Sequence, residues 1–554
     1  MLLLLITLLV QSQALPCKVS VVGAGVGGLY SAFRLVNSST YLPSEVCVFE
    51  ATNRVGGRAY SVRGVTPMQN SIDIGAHGYK PNQHLIMHSL VNDVLGLNTA
   101  CRSRNQRKDT CYDIGDSYFF LRNKYVGDLS TSNDVPYGLN KNEEWNKASG
   151  SDPDPILEAV ITVYPFILDY YANLTSFDPT VRYPAIKATL ARLRTTTVNG
   201  KYPNEYTMQT LLNHSSEYWS LYLDADGESI SSVLLVNMYD VLREAVYYAM
   251  GDVPGSGGYV IVDANNKEIG YATISESLTS LLVAKGVSVQ YNKRLVSLKN
   301  SVTLGFADGT TVTSEKVILN IPLNNLRSLS SDSVIFTPAS TKLLDVFTPV
   351  CAIKGYFYYP TAWWQSYGDS SVSNNEINRY YEYKDNNIEC TGSTCKGVVQ
   401  VVYADGLDYC TPFWNGNNDN NPLLIVQKGS TDPIQSKLFN DLATAVSISQ
   451  KSIFPKAADI PAPETLVLGA WKSGWHVIRP SSTYKGGDAN RLMLNPVPGV
   501  PVYVVNEAYS VDQGWAEGSL IAAEKVLKTY FNLNRPTWLG NEYWYDAIVA
   551  NNDI

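Results

Sequence analysis

The chain has 554 residues, 45% hydrophobic and 17% charged, which suits roughly two to four globular domains and excludes a fibre or a disordered chain. Its net charge is −8 and it carries no basic run, so neither nucleic acid nor an anionic membrane surface is expected as a partner. The N-terminus reads MLLLLITLLVQSQALPC. The apolar stretch from Leu2 to Val10 is far shorter than the ~20 residues that span a bilayer. Small residues at Ser12 and Ala14 suit cleavage after Ala14, so residues 1–14 are expected to be a signal peptide and the protein to be secreted. A buried first strand or an uncleaved anchor is the other reading, since no Lys or Arg precedes the apolar stretch. No later segment is long and apolar enough to cross a membrane. Asn37, Asn173 and Asn213 head glycosylation acceptor tripeptides. Cys101/Cys111 and Cys390/Cys395 are close pairs in polar sequence, which an oxidising compartment would close as small-loop disulfides. None of the eight cysteines sits in a CxxC array, so no metal site is expected.

Lys18 to Val22 is a short β-branched run. Gly23-Ala-Gly25-Val-Gly27-Gly28 follows, then LYSAFRLV with helical spacing of apolar residues. Strand, glycine turn and helix in that order form a cradle for a pyrophosphate. Gly23 allows the turn, Gly25 the close approach of backbone to phosphate, and Gly28 the packing of helix on strand. Alone, the pattern is also that of a plain glycine-rich turn. The second strand, Val46 to Phe49, ends in Glu50, placed to hold the hydroxyls of an adenosine ribose. Glu50-Ala-Thr-Asn-Arg54-Val-Gly56-Gly57-Arg58 then follows, a far more specific string than the glycines.

VVGAGVGGL and FEATNRVGGR together resemble the FAD-binding signature of the flavin amine oxidase superfamily. Further patches, NDVPYGL at 133–139 and YADGL at 403–407, are most similar to secreted L-amino-acid oxidases, the antibacterial oxidases of molluscs among them. The resemblance implies an α/β fold: a discontinuous Rossmann-like FAD-binding domain with a mixed-sheet substrate domain and a helical subdomain. The FAD-binding pieces are expected at 16–74, 253–330 and 463–531, the substrate-binding pieces at 75–140 and 331–462. A helical domain is expected at 141–252 and a C-terminal tail at 532–554. Residues 272–285 read as a helix, 287–291 as a strand, Asp308-Gly309 as a hairpin turn and VILNIP at 317–322 as a return to the sheet. Val296 is either the family's adenine-edge contact or an ordinary buried strand valine.

The same resemblance assigns the remaining site residues. Gly75, Ala76 and His77 fall in the segment that runs under the flavin ring. His77 faces substrate or is a satisfied core histidine. Many amino-acid oxidases carry a carboxylate-gripping arginine where this chain has Gly78; Lys80, Arg379 and Lys472 are candidate replacements. Lys354 lies in a strand nine residues before the tryptophan pair Trp363-Trp364 and matches the lysine that holds a water against flavin N5. Its other reading is a lysine on the solvent face. Tyr381, with Tyr380 as fallback, matches a tyrosine on the substrate carboxylate. Trp475 is either a wall of the pocket or a core tryptophan. Glu507 would bind the ribityl hydroxyls, and the helix starting near Trp515 would point its dipole at flavin N1 and O2. Asn506 replaces the usual glycine before Glu507. No cysteine lies in a flavin-linking motif, so FAD is expected to be non-covalent. The activity implied is hydride transfer from the substrate carbon to flavin N5, with dioxygen as second substrate and hydrogen peroxide and ammonia as products. A polyunsaturated fatty acid isomerase is the alternative that Gly78 raises, and a non-catalytic FAD-containing binding protein is the third reading. A homodimer is left open.

Overall fold

The computed structural model describes residues 17–550 except 69–70, 102–116, 122–123, 128–160, 162, 209–235, 248–257, 300–301, 365–369, 374–379, 383–387, 407–409, 414–420 and 454–459. Residues 1–14, Cys111, Asn213 and Arg379, all singled out from the sequence, lie outside the described residues.

VSVV, VCVF and VYV are continuous apolar runs rather than alternating ones. That pattern suits a parallel sheet covered on both faces, and all three strands are fully buried. Five parallel strands lie in the order Val502–Val504, Lys316–Leu319, Val19–Val22, Val46–Phe49, Ser288–Gln290. A disulfide between Cys17 and Cys47 ties the two strands that flank the glycine turn, with Cα atoms 5.6 Å apart. Beside this sheet stands an antiparallel meander, Leu295–Lys299, Thr303–Phe306 and Thr311–Thr313, whose second turn contains Gly309 at φ +83°.

Helix Val26–Asn37 follows the glycine turn and packs against helix Ala516–Phe531 near the C-terminus. A buried ion pair joins them: Arg34 Nε donates to Glu524 Oε1 at 2.6 Å, and the Tyr30 hydroxyl donates to the same oxygen at 2.6 Å. Arg34 also donates to the carbonyl of Asn534 at 2.7 Å, which fastens the C-terminal segment to the pair. The two helices therefore hold a fixed relation, and so do their N-termini.

The second sheet has nine strands. Leu423–Gln427, Thr465–Ile478, Phe347–Tyr359, Thr394–Asp405, Tyr380–Glu382, Ser370–Ser373, Ser117–Leu121 and Lys124–Gly127 form its path, and Ile388–Thr391 pairs with Thr394–Asp405 beside it. Only Ser370–Ser373 and Ser117–Leu121 run parallel, so the sheet is mixed. Thr465–Ile478 was expected in the cofactor-binding piece 463–531 but runs in this sheet, paired with Phe347–Tyr359. Side chains alternate along Phe347–Tyr359. Ile353 and Phe357 join Phe439 and Leu442 of helix Pro433–Ile453 in an apolar cluster behind the sheet, and Lys354 takes the opposite face. Helices Leu168–Leu174, Pro179–Thr195 and Met238–Tyr247 fall within 141–252. Cys390 bonds Cys395 as expected. Cys351 bonds Cys410, a pairing the sequence spacing did not suggest, and Cys101 is also disulfide-bonded. Among the described residues no helix is long and apolar enough to cross a membrane.

Candidate active site

A cavity of about 410 Å³ opens where the parallel strands end and the mixed sheet begins. Ligands of open α/β sheets sit at the carboxyl ends of the strands, and here Gly23, Glu50, Asn320 and Asn506, each one or two residues past such an end, line the wall. Gly23 has φ +98°, and a Cβ there would overlap the carbonyl oxygen of Asn320. Gly25 is the N-cap of helix Val26–Asn37. Gly25 has no side chain to cap this helix start and the first turn carries no acid, so the positive dipole end is left to the cavity, while the Gly28 N–H is taken by the side-chain oxygen of Asn320 at 2.7 Å. Gly28 does not line the cavity. A Cβ on it would overlap the carbonyl oxygen of Gly23, so its place is the helix–strand contact. Glu50 is 8% exposed. Its Oε2 accepts from the Ala24 N–H at 2.8 Å, and its Oε1 accepts from Thr52 N–H and hydroxyl at 2.9 and 2.8 Å. These bonds fix the carboxylate at the end of its strand.

A second uncapped helix start meets the same cavity. Trp515 is the N-cap of helix Ala516–Phe531 and makes no side-chain cap; Trp515, Ala516 and Ser519 line the wall. Glu517, in the first turn, is turned away and accepts from the N–H groups of Ile86 and Met87 at 2.9 and 2.8 Å. Burial, with the Asp512 charge adding to it, pushes Glu517 up to about 8 against those hydrogen bonds. Between the two helix starts lies Glu507. Its Oε1 accepts from Arg58 Nη1 at 2.5 Å and from His476 Nδ1 at 2.6 Å, and its Oε2 from the Gly514 N–H at 3.2 Å. Burial opposes its charge, yet His476 and Arg58 hold it down at about 2. Asn506 uses its side chain here: Oδ1 accepts from Arg58 Nη2 and from the Ala508 N–H.

The far end of the cavity is built by the mixed sheet. Cross-strand pairing sets Lys354 opposite Tyr403 and Gly469, and Ala352 opposite Asp405 and Trp471. Lys354, Tyr403, Asp405, Trp471 and Trp475 line the wall with Gly75, Ala76 and His77. Lys354 is 5% exposed, so it is not a lysine of the solvent face. Its Nζ donates to the carbonyl of Gly75 at 2.7 Å and meets His77 Nδ1, with the Tyr403 ring centroid 5.3 Å away. Gly75 packs so tightly that a Cβ would overlap the carbonyl of Arg58. Trp471 Nε1 donates to the carbonyl of Ile74 at 2.7 Å, and Trp475 Nε1 donates to Asp405 at 3.1 Å. Gly78 also lines the cavity, and a Cβ there would stand 3.0 Å from the carbonyl oxygen of Tyr259, a tight contact with a carbonyl that accepts the N–H of Tyr79 at 3.1 Å.

The structure thus brings Gly23, Gly25, Glu50, Gly57, Arg58, Gly75, Ala76, His77, Lys354, Trp475, Glu507 and Trp515 to one cavity. Val296 is not on its wall. It sits at a bulge in its strand with its carbonyl taken by the Ser330 N–H, and Leu295 and Arg294 line the cavity instead. Tyr381 lies on strand Tyr380–Glu382 opposite Ser371. Lys80 and Lys472 do not line the cavity. Asn37 and Asn173 are exposed. Sequence reasoning missed Arg54, Asn320, Asp405 and His476. Arg54 was within reach, as the central arginine of the string that follows Glu50; it lies 3.9 Å over the Tyr60 ring and donates to the carbonyl of Gly57. His476 carried no signal, because its partner Glu507 is 31 residues away.

Known proteins of the same architecture share this arrangement of sheets. Putrescine oxidase, solved with putrescine bound, covers 93% of this chain and 99% of its own at 17% identity and a TM-score of 0.60. Cyclohexylamine oxidase from Brevibacterium oxydans IH-35A covers 92% and 98% at 16% identity and a TM-score of 0.59. In sequence, Achacin of Lissachatina fulica is 25% identical over 547 residues, 93% of each chain, and Aplysianin-A of Aplysia kurodai is 24% identical over 557 residues, 93% of this chain and 90% of its own. The family described as flavin containing amine oxidoreductase matches residues 26–500. With that match running from the first helix of the cradle through the strands that carry Lys354 and Trp475, the chain belongs to the flavin-containing amine oxidoreductase family and is a flavin-dependent oxidoreductase.

Proposed function

We propose that the protein is a secreted FAD-dependent oxidase that oxidises L-amino acids or primary amines with dioxygen, releasing hydrogen peroxide and ammonia. The observation that carries this reading is Lys354, a buried lysine on the wall of the cavity that two helix N-termini also meet. The donor set suits FAD. Glu50 would hold the adenosine ribose and the N-terminus of helix Val26–Asn37 the pyrophosphate. Glu507 with Arg58 would hold the ribityl hydroxyls, and the helix start at Trp515 would face the anionic edge of the reduced ring. Among the described residues no cysteine is free, which supports non-covalent binding. When bound, the flavin would accept the hydride and return the electrons to dioxygen.

The protein's part is to position substrate, exclude water and move a proton. Trp471, Trp475 and Tyr403 offer aromatic faces that keep the substrate end poor in water. Lys354 is fixed by Gly75 and His77 at the segment expected under the flavin ring. Gly78 leaves no arginine for a substrate carboxylate, so an amino acid would be held by other groups. The fatty acid isomerase and the non-catalytic binder are not carried forward, since the family matched is one of amine oxidoreductases.

The test is aerobic turnover of the purified yellow protein on a panel of L-amino acids and primary amines. Equal amounts of peroxide and ammonia from at least one of them are expected. Tightly bound FAD with no peroxide from any of them would overturn the proposal.

A further inference from the structure

An amine enters from neutral water as an ammonium, and hydride cannot leave its α-carbon until the nitrogen has given up a proton. A base at the substrate end would take that proton inside the site. Nζ of Lys354 lines the cavity and meets two acceptors, the carbonyl oxygen of Gly75 at 2.7 Å and Nδ1 of His77. A neutral amine has two N–H bonds and one lone pair. When both N–H bonds are given to these acceptors, the lone pair takes a remaining tetrahedral direction. With Nζ as the donor in this contact, His77 accepts at Nδ1 and carries its hydrogen on Nε2, the tautomer the step requires.

We infer, on the reading that the protein is an amine oxidase, that Lys354 is the base for the substrate ammonium and that His77 is the positioning residue that aims it. In this step an N–H bond of the substrate ammonium breaks and its electron pair stays on the substrate nitrogen. A third N–H bond forms on Nζ, and nothing is oxidised. The other ionisable groups around Lys354 are known by position. Tyr403 and Asp405 stand on the neighbouring strand and the Asp73 carboxyl on the strand before Gly75. Burial raises Asp73 to about 6, with Glu268 adding and the Lys354 charge lowering. His77, as a neutral acceptor, favours the ammonium form of Lys354, so its removal lowers the pKa of that lysine.

The experiment compares wild type with His77→Leu, which has no acceptor, and His77→Asn, whose amide oxygen stands in for Nδ1. Two readouts are taken across pH: the rate of anaerobic flavin reduction by the best amine or amino acid, and competitive amine labelling of Lys354, which reports its pKa and needs neither substrate nor turnover. In His77→Leu we expect reduction about tenfold slower and both midpoints about one pH unit lower. In His77→Asn both return toward wild type. Wild-type profiles in His77→Leu, or an His77→Asn variant that behaves as His77→Leu does, would overturn the inference. Failure of every amine and amino acid to reduce the wild-type flavin would instead overturn the oxidase reading, and labelling would still decide whether His77 sets Lys354.

Discussion

Glu507 shows how much of the site is electrostatic. Burial alone would neutralise it, and its contacts with His476 and Arg58 keep it ionised at about 2 instead of its ordinary 4.5. A carboxylate with a depressed folded pKa adds stability that is present above pH 4.5 and is lost as pH falls toward 2. The shift corresponds to about 3 kcal/mol. Glu507→Gln is therefore expected to lower unfolding free energy at pH 7 by about that amount, with the gap to wild type closing as pH falls through this window; urea unfolding at a series of pH values measures it. Lys354→Met keeps the packing of a long side chain but removes the amine. It should slow anaerobic flavin reduction about a hundredfold or more while the flavin spectrum is kept, as stopped-flow absorbance would show. Both residues were legible through the resemblance, and Lys354 also because a lysine that interrupts an apolar strand departs from what packing asks. Asp405 and His476 were not legible, because each meets a partner far along the chain: Asp405 reaches Trp475 across 70 residues and His476 reaches Glu507 across 31. Val296, left open between an adenine contact and a strand valine, lies at an irregularity of its strand and off the cavity wall, which its neighbour Leu295 lines.

The elements that matter most are the two helices whose N-termini share the cavity. Their relation rests on Glu524, fully buried and bonded to Arg34, Tyr30 and Tyr545. Removing one partner of a buried pair leaves the other charge without compensation, at a cost of about 3–5 kcal/mol. Glu524→Ala is expected to unfold at lower denaturant by that margin and to retain FAD less well. A variant as stable as wild type would show that packing alone sets the two helices. These helices and the parallel strands were readable from apolar runs and a 3.6-residue period. The observed helix Thr273–Ala284 and strand Lys316–Leu319 sit where the pattern placed them. The sheet that takes Thr465–Ile478 was not readable. A strand buried on both faces carries no mark of which neighbour it pairs with, and only the register with Phe347–Tyr359 decides it.

In the whole molecule, five parallel strands from distant parts of the chain meet a nine-stranded mixed sheet at one cavity. Sequence reading reached this discontinuous plan through the resemblance rather than through local pattern, since no local signal tells that residue 502 returns beside residue 317. Disulfides brace the arrangement. The Cys17–Cys47 bridge closes a span of 30 residues around the glycine turn. Replacing both cysteines by serine should cost about 3 kcal/mol of unfolding free energy, measurable by calorimetry with and without reductant. Gly78, on the cavity wall, bears on how a substrate is held, not on whether the flavin is reduced. The account as a whole therefore stands on the reductive half-reaction. The most direct measurement is anaerobic bleaching of the protein-bound flavin by L-amino acids, primary amines and polyunsaturated fatty acids in turn, followed by readmission of air. The account predicts bleaching by an amino acid or amine and one peroxide per flavin on reoxidation. A flavin that stays yellow with every amine and amino acid, while a fatty acid yields a conjugated product without peroxide, would contradict it.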